Sequence, residues 1–402
     1  MCGFIASKGK YNNSYIQKRG QDATNVSVYN GITFLHNLLS ITGEFTPQPF
    51  IEDDIVCLFN GEIYNHSFKK TDGENIIPLY KKHGIMFPKE LDGEFAIALY
   101  DFKNDIVLFV TDRFATKPLW VNGIECASYK SGVNGKKVPA NTLIIKRISN
   151  GEPLAKKKYH EWNFEQYKTN IDDCVSAFEE AVKKRYKEEC FIGLSSGYDS
   201  GAIALVLHEM NANFKAFTIQ AKEDMQIISR RFALLRNAEI LSFNPEGEEI
   251  EAENFYYKIW KEDGYDTSSY KNDYASKALN FICKKAHSEG RRVYLSGSGA
   301  DEILSDYSLI PNQSEFKGAY PLDLKEWRNF NESCMYSYLG KEEYVSGHHN
   351  IETRYPFLDT LFVQEFLSLI PAIKNVYKAP LRELFLRNDF PFAENKKIGF
   401  SI

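Results

Sequence analysis

The chain contains 402 residues, a length that favours two or three domains. Hydrophobic residues make up 43% and charged residues 26%, which is typical of a globular protein that folds in water. Because 49 Lys and Arg residues are balanced by 54 Asp and Glu residues, the formal net charge is −5. This balance gives no electrostatic indication of a nucleic-acid partner or an anionic membrane partner, and we expect neither.

The sequence also shows no targeting or membrane-spanning segment. Apolar runs such as Phe95–Tyr100 are far shorter than the roughly 20 residues of a transmembrane helix. The N-terminus lacks the long apolar core of a signal peptide. Seven cysteines include no C-x-x-C pair, so neither a zinc site nor a disulfide framework is predicted. We therefore expect a cytoplasmic protein.

Up to about Arg147 the pattern predicts a β-rich domain, because short alternating or fully apolar runs are separated by turn residues. One helix is predicted over Asn75–His83, and a linker is predicted around Ser149–Lys158. Strands are predicted over Gly31–Leu35, Ile55–Phe59, Glu94–Asp101, Asp105–Thr111 and Thr142–Lys146.

Beyond the linker, helices alternate with strands. This alternation predicts a parallel sheet that binds ligands at the carboxyl ends of its strands. Two domains are therefore expected, over residues 1–155 and 165–402. The elements are helices over Ile171–Glu188 and Ser200–Met210, and strands over Cys190–Leu194, Phe214–Ile219 and Arg292–Ser296.

The residue after the initiator methionine is a cysteine. If Met1 is removed, as we expect, Cys2 carries both a thiol and an α-amino group. That amine has an ordinary pKa of about 7.7–8.0, so it can act as the base for the thiol. Asn60-Gly61, at the end of an apolar strand, predicts either a hairpin turn or an amide and a backbone N–H that stabilise an oxyanion.

Two turns of small residues each follow a predicted strand. Such turns serve either as helix caps or as cradles for an anion at a helix N-terminus. Both can meet at one edge of a parallel sheet. The turns are Ser195-Ser196-Gly197-Tyr198-Asp199-Ser200 and Ser296-Gly297-Ser298-Gly299-Ala300-Asp301-Glu302.

Four further motifs follow Cys2 in order: Arg19–Asp22, Asn60–Asn65, Leu91–Ala96 and Asp112–Leu119. In that order they resemble the class II glutamine amidotransferase domain of the asparagine synthetase B family. The two small-residue turns resemble the pyrophosphate loop and the Ser-Gly-Glu-Gly-x-Asp-Glu motif of the same family. Later family segments are matched by Asn350–Asp359, Lys378–Arg382 and Lys396–Phe400, so the resemblance covers nearly the whole chain.

The resemblance implies an α+β N-terminal-nucleophile domain, an αββα sandwich, followed by an α/β parallel-sheet ATP-pyrophosphatase domain. It implies ATP-driven, glutamine-dependent amide formation on a small carboxylate through an acyl-adenylate, with release of AMP and pyrophosphate. The expected cofactors are ATP and Mg²⁺, and the expected partners are glutamine and the carboxylate substrate. A homodimer is left open.

The resemblance also implies roles for individual residues. Cys2 is the expected nucleophile, with Asn60 and Gly61 as the oxyanion hole. Glu62 and Asp72 are expected to bind glutamine. Lys378 and Glu352 are expected to be further catalytic residues. The expected nucleotide and metal residues are Leu194, Ser195, Ser196, Gly197, Tyr198, Asp199, Ser200, Ser296 and Gly297 for ATP, with Asp199 and Asp301 for Mg²⁺.

Three positions depart from the family pattern. Leu38 stands where an Arg usually pairs with the carboxylate of glutamine, Ser298 replaces a Glu, and Tyr129 replaces another Glu. These changes leave three alternatives open: an ammonia-dependent synthetase with weak glutaminase activity, an intramolecular amide-forming enzyme like the β-lactam synthetases, and a nucleotide-binding scaffold. The identity of the carboxylate also remains open, with aspartate as the family default.

Overall fold

The computed structural model describes residues 1–220, 223–261, 264–305, 320–331, 333–394 and 396. The family segment at Lys397–Phe400 therefore lies outside the described residues. Among the described helices, none is both long and apolar enough to cross a membrane. The chain divides into two compact units. The first contains Met1–Glu161, Glu251–Glu253 and Ser346–Glu352, and the second contains the described residues of Trp162–Ile250, Asn254–Val345 and Thr353–Ile402.

The first unit is built from antiparallel strands and short helices. Its two sheets have the strand orders β10-β8-β9-β1-β3-β2 and β12-β11-β7-β6-β5-β4. The elements are β1 (Gly3–Ser7), β2 (Ala23–Tyr29), β3 (Ile32–Leu38), β4 (Phe50–Glu52), β5 (Ile55–Ile63), α1 (Ile76–His83), β6 (Gly93–Asp101), β7 (Ile106–Thr111), β8 (Trp120–Asn122), β9 (Glu125–Ala127), α2 (Lys130–Val133), β10 (Lys136–Lys137), β11 (Leu143–Arg147) and β12 (Pro153–Lys157).

Alternation along β5 shows how these sheets stack. Val56 and Leu58 belong to a buried cluster that also holds Phe34 of the other sheet. Cys57 and Phe59 point the opposite way, into a cluster with α1. Successive strand residues point to opposite faces, so one face of β5 lies against the partner sheet and the other lies under α1. The predicted β-rich domain is confirmed, while its assignment to the N-terminal-nucleophile fold remains a prediction.

The second unit contains a sheet of strand order β15-β14-β13-β18-β19. Strand β13 pairs in parallel with β14 and β18, and β14 pairs in parallel with β15, which confirms the predicted parallel sheet. The elements are α3 (Asp172–Arg185), β13 (Cys190–Gly193), α4 (Tyr198–Glu209), β14 (Phe214–Ile219), α5 (Met225–Leu234), β15 (Ala238–Leu241), β16 (Tyr256–Lys261), β17 (Gly264–Ser269), α6 (Tyr274–Ser288), β18 (Val293–Leu295), α7 (Ala300–Leu304), α8 (Ser333–His348), β19 (Glu352–Arg354), α9 (Thr360–Ser368), α10 (Pro371–Lys374) and α11 (Ala379–Arg387).

The predicted linker is wrong over Pro153–Lys157, which forms the edge strand β12 and pairs with β11. The turn before it contains Asn150 and Gly151, and Gly151 has a φ of +76°. Gly151 N–H donates to the carbonyl of Arg147 at 2.9 Å. An Asn-Gly pair is a strong hairpin signal. Pro153 and the lysines at 156–158, which are typical of a linker, outweighed this hairpin signal in the prediction.

The cysteines of the chain form no disulfide bonds with one another. All seven are free, and Cys57, Cys126, Cys174, Cys190 and Cys283 are buried. Cys2 and Cys334 are half-buried.

Candidate active sites

Cys2 lies immediately before β1, close to the amino group of the chain. Its Sγ donates a hydrogen bond to the carbonyl of Leu39 at 3.8 Å, and burial raises the pKa of the thiol to about 11. The Met1 α-amino nitrogen lies 3.4 Å from Glu352 Oε2, and burial lowers its pKa to about 6. Removal of Met1 would transfer the α-amino group to Cys2 itself. The thiol is therefore protonated at neutral pH and needs a neighbouring base.

Asn60 and Gly61 lie inside β5 and not in a hairpin turn, opposite Ala96 and Phe95 of β6. The turn interpretation of this pair is therefore wrong. The side-chain amide of Asn60 is fully buried, and neither its nitrogen nor its oxygen has a hydrogen-bond partner among the described residues. An unsatisfied buried polar group costs about 1–3 kcal/mol. An amide kept unpaired at this cost fits a donor for a bound oxyanion.

The two predicted glutamine-binding carboxylates adjoin the end of β5. Glu62 accepts a hydrogen bond from Thr42 Oγ1 at 2.9 Å, and Asp72 accepts one from the backbone N–H of Ile63 at 2.7 Å. Burial raises the pKa of Asp72, and the negative charges of Asp72 and Glu352 both raise the pKa of the Cys2 thiol. Cys2, Asp72 and Glu352 therefore lie within electrostatic reach of one another, and Glu352 belongs to the N-terminal site.

Leu38, the last residue of β3, has a buried apolar side chain, and the carbonyl of the next residue, Leu39, accepts the hydrogen bond from Cys2 Sγ. A cation near Cys2 is Arg19, which is fully buried. Its Nε donates to the Cys2 carbonyl at 3.0 Å, its Nη1 donates to Tyr129 Oη at 2.8 Å, and its Nη2 contacts Met1 Sδ at 3.0 Å. Arg19 thus fixes the backbone of Cys2. Its motif, Arg19–Asp22, did not predict this contact.

In the second unit, the loop after β13 is anchored on both sides. The Leu194 carbonyl accepts a hydrogen bond from Thr218 Oγ1 at 2.8 Å. Arg231 of α5, which is fully buried, donates through Nη1 to the carbonyls of Ser195 at 2.5 Å and Gly197 at 2.9 Å. Because these carbonyls point towards a guanidinium, the loop is fixed in one orientation. No sequence motif drew attention to Arg231.

The N–H groups of this loop bind oxygen atoms. Ser196 donates through its backbone N–H and its hydroxyl to Glu223 Oε2, both at 2.5 Å. Ser195 N–H donates to Ser200 Oγ at 2.9 Å, and Gly197 N–H donates to Ser195 Oγ at 3.2 Å. A loop whose N–H group and hydroxyl already hold a carboxylate can offer the same donors to a phosphate oxygen.

Tyr198, which follows this loop at the start of α4, has a buried side chain. Its ring packs against those of Tyr377, Phe385 and Phe392, with centroids 5.4, 5.4 and 5.5 Å away. The side chain therefore stabilises the start of α4.

Lys378 connects the two small-residue turns. Its ammonium pairs with Asp199 and lies 2.7 Å from Asp301 Oδ1, and its side chain is only 3% exposed. The two carboxylates raise the pKa of Lys378 well above its usual value. The residue has a left-handed φ of 47° immediately before α11. The predicted catalytic lysine and the two predicted metal ligands therefore lie together at the carboxyl ends of β13 and β18.

A third carboxylate meets the turn after β18. Glu342 of α8 accepts hydrogen bonds from Ser296 Oγ at 2.6 Å and from Ser298 Oγ at 2.9 Å. Burial raises the pKa of Glu342 to about 7, against the lowering effect of the two hydroxyl donors. Nothing in the sequence singled out Glu342, because an isolated Glu in a helix predicts only a solvated face.

Comparison with known proteins identifies both halves of the chain. Residues 1–150 match a glutamine amidotransferase domain family, and residues 174–326 match an asparagine synthase family. The chain belongs to the asparagine synthetase family. This confirms the resemblance drawn from the motifs and makes the chain an amidotransferase of the ligase type, from a family that in general uses ATP.

Curated relatives cover most of the chain. A probable asparagine synthetase [glutamine-hydrolyzing] of Schizosaccharomyces pombe is 24% identical over 97% of this chain and 80% of its own length. Asparagine synthetase [glutamine-hydrolyzing] 2 of Arabidopsis thaliana is 25% identical over 97% of this chain and 75% of its own length. Asparagine synthetase [glutamine-hydrolyzing] 1 of Saccharomyces cerevisiae is 26% identical over 94% of this chain and 77% of its own length.

In this member of the asparagine synthetase family, the donor set at Lys378 fits a magnesium nucleotide. Mg²⁺ is usually bound by one or two carboxylates together with the phosphates of the substrate. Asp199 and Asp301 supply two carboxylates, and a Cβ on Gly297 would lie 3.1 Å from Asp199 Cβ, so the two turns are closely packed. Within the described residues, no group of three or more acidic, His or Cys side chains forms a site that could hold a metal without the nucleotide.

Proposed function

We propose that the chain converts a small carboxylic acid to its amide, using glutamine as the nitrogen donor and ATP as the activating substrate. The observation that carries the proposal is the ammonium of Lys378 held between Asp199 and Asp301, where two small-residue turns end the parallel strands. A fixed cation at this edge can stabilise the charge that develops when a carboxylate attacks the α-phosphate of ATP.

In the second unit, the substrate carboxylate would displace pyrophosphate from ATP and form an acyl-adenylate. The donors of the loop at Ser195–Ser200 would hold the pyrophosphate oxygens, and Ser296 and Gly297 would line the nucleotide. Asp199 and Asp301 would hold Mg²⁺, which supplies charge neutralisation for the phosphates. Ammonia would then attack the acyl carbon and release AMP.

In the first unit, the Cys2 thiolate would attack the side-chain amide of glutamine, form a thioester and release ammonia. The α-amino group, carried by Cys2 once Met1 is removed, would take the thiol proton. Asn60 and the backbone at Gly61 would stabilise the tetrahedral oxyanion. The buried, unpaired amide of Asn60 supports this role.

The test is Cys2→Ala, assayed for amide product with glutamine and, separately, with ammonium. Amide formation with glutamine should fall to background, while formation with ammonium should persist. Cys334→Ala, which removes the other half-buried thiol, is the matched control and should retain both activities. Loss of both activities in Cys2→Ala would contradict the two-site scheme. L-Aspartate is the first acid to assay because the relatives are named asparagine synthetases, followed by other small amino and organic acids.

A second candidate is an ammonia-dependent synthetase with weak glutaminase activity, which Leu38 favours. An apolar side chain cannot donate the charge-assisted hydrogen bonds that an Arg would give to the α-carboxylate of glutamine. Arg19 directs its Nε and Nη1 to Cys2 and Tyr129. Leu38→Arg should then lower the KM for glutamine, whereas an unchanged KM would remove the support for this candidate.

A further inference from the structure

Glu342 is a carboxylate held in place by the turn at the end of β18. Its Oε2 accepts from Ser296 Oγ at 2.6 Å and its Oε1 accepts from Ser298 Oγ at 2.9 Å. Ser298 N–H in turn donates to Ser296 Oγ at 3.0 Å, so the turn and the carboxylate form one connected network. The side chain is half-buried, which leaves part of its surface open to a small molecule.

The same turn lies against the nucleotide-binding residues. Gly297, between the two serines, would bring a Cβ to 3.1 Å from Asp199 Cβ, and Asp199 pairs with Lys378. The carboxylates of Asp199 and Asp301 both hold that ammonium ion, so neither is available as a base. The oxygens of Glu342, by contrast, accept hydrogen bonds from the hydroxyl groups of Ser296 and Ser298.

The surroundings of Glu342 leave it able to gain and lose a proton near neutral pH. Burial raises its pKa to about 7. Lys341 lowers this pKa and Glu343 raises it, both from the same helix. Cys283 of α6 and Tyr294 of β18 also face the carboxylate, and its charge raises the pKa of each of them. These thiol and phenol groups stay protonated and do not compete as bases.

We infer that Glu342 is the proton acceptor for amide formation, taking a proton from ammonia as its nitrogen bonds to the acyl carbon. This rests on the proposed function. One N–H bond breaks and its proton passes to a carboxylate oxygen of Glu342. The C–N bond forms, and the tetrahedral intermediate expels AMP when the bond between its carbon and the phosphate oxygen of AMP breaks, with the electron pair passing to that oxygen. Glu342 then returns the proton to water, so no oxidant or further reactant is needed.

The test separates activation of the acid from amide formation. Glu342→Gln keeps the size of the side chain and an acceptor for the serine hydroxyls but cannot take the proton. The acids assayed are L-aspartate and then the other small amino and organic acids. With each acid that the wild type activates, the variant should exchange pyrophosphate into ATP at a rate within about threefold of the wild type. Amide formation from ammonium should fall about 100-fold, the lower range for loss of a general base. The wild-type rate, at constant free ammonia, should rise from pH 6 to 8, and the variant rate should not.

Moving the carboxylate provides a second readout. The double variant Ser298→Glu with Glu342→Ala places a carboxylate on the turn in place of the one on α8. It should form amide at least tenfold faster than Glu342→Gln. Glu326→Gln, at an exposed position of the same unit, is the matched control and should keep both activities.

The outcomes are distinct. A wild type that exchanges pyrophosphate with none of the acids contradicts the proposed function and, with it, this inference. A Glu342→Gln variant that forms amide at the wild-type rate overturns the inference alone. A variant that loses exchange and amide formation equally also overturns it, because Glu342 would then serve nucleotide binding.

Discussion

Gly61 shows how backbone geometry can require one residue type at a position with a proposed catalytic role. Its φ is +143°, and a Cβ there would lie 1.9 Å from the carbonyl oxygen of Glu94 on the neighbouring strand. Any side chain would therefore push β5 away from β6. Because the backbone at Gly61 and the amide of Asn60 are proposed to hold the same oxyanion, this displacement should impair catalysis more than folding.

Gly61→Ala should therefore lower the rate of glutamine hydrolysis about 100-fold, a loss similar to removal of one oxyanion donor. The strained backbone should also lower the free energy of unfolding by about 1–3 kcal/mol. Gly9→Ala is the matched control, since no atom lies within 4 Å of a Cβ built there. Glutaminase kinetics and thermal melting measure both effects, and equal glutaminase rates in the two variants would contradict this view of Gly61.

Glu342 should make stability depend on pH. Its folded pKa of about 7 lies above the usual 4.5, so between these values the folded state binds the proton that the unfolded state has released. Its contribution to stability is thus present below pH 4.5 and is lost as the pH rises to 7. Because the side chain is partly exposed, the loss should be about 1–3 kcal/mol.

Glu342→Gln removes this titration, so the variant should gain thermal stability relative to the wild type between pH 5 and pH 8. Melting temperatures of both proteins across that range measure the difference. If the two curves run parallel, the carboxylate titrates outside this range.

At the scale of elements, the orientation of the β13–α4 loop depends on a residue from a different helix. Arg231 of α5 binds the carbonyls of Ser195 and Gly197, and a Cβ on Gly201 would lie 2.6 Å from its Nη2. While these carbonyls point at Arg231, the N–H groups of Ser195, Ser196 and Gly197 donate to side-chain oxygens on other sides of the loop. Helix α5 thus positions the loop through Arg231.

Arg231→Leu should raise the KM for ATP at least tenfold in the pyrophosphate exchange assay, because the loop carbonyls would lose their charged donor. Glutamine hydrolysis at Cys2 should not change, which separates loss of positioning from general unfolding. The neighbouring Arg230 is exposed, so Arg230→Leu is the matched control and should keep the wild-type KM for ATP. A normal KM in Arg231→Leu would show that the loop holds its shape without the guanidinium.

Sequence patterns predicted elements well where local periodicity decides the structure. The strand over Phe214–Ile219 was predicted with the bounds observed, and the helix over Asn75–His83 differs by one residue. Prediction failed where the deciding contact is distant in sequence. Arg231 and Glu342 each lie on a helix that carries no motif, and only the fold brings them to the turns after β13 and β18.

At the scale of the whole molecule, the first unit is not a continuous N-terminal piece. Ser131 donates through its N–H, at 3.0 Å, and its hydroxyl to Glu253. Gln21 N–H donates to Asn350 Oδ1 at 3.0 Å, and Glu352 faces the Met1 amine. These partners come from segments far along the chain. A single boundary near residues 150–165 therefore leaves part of the first unit, Glu251–Glu253 and Ser346–Glu352, on the wrong side.

A fragment that ends at Glu161 lacks all three partners. Each lost bond to a buried or charged group costs about 1–3 kcal/mol, and the carboxylate of Glu352 beside the nucleophile would be gone. We therefore expect the fragment to melt well below the full chain and to hydrolyse glutamine at least tenfold more slowly. The control is the full chain with Lys378→Met, in which the synthetase chemistry is disabled but the three partners remain, and which should keep its glutaminase activity. If the fragment matched this control, residues 1–161 would form a complete glutaminase, and the distant segments would contribute nothing to the site that they adjoin.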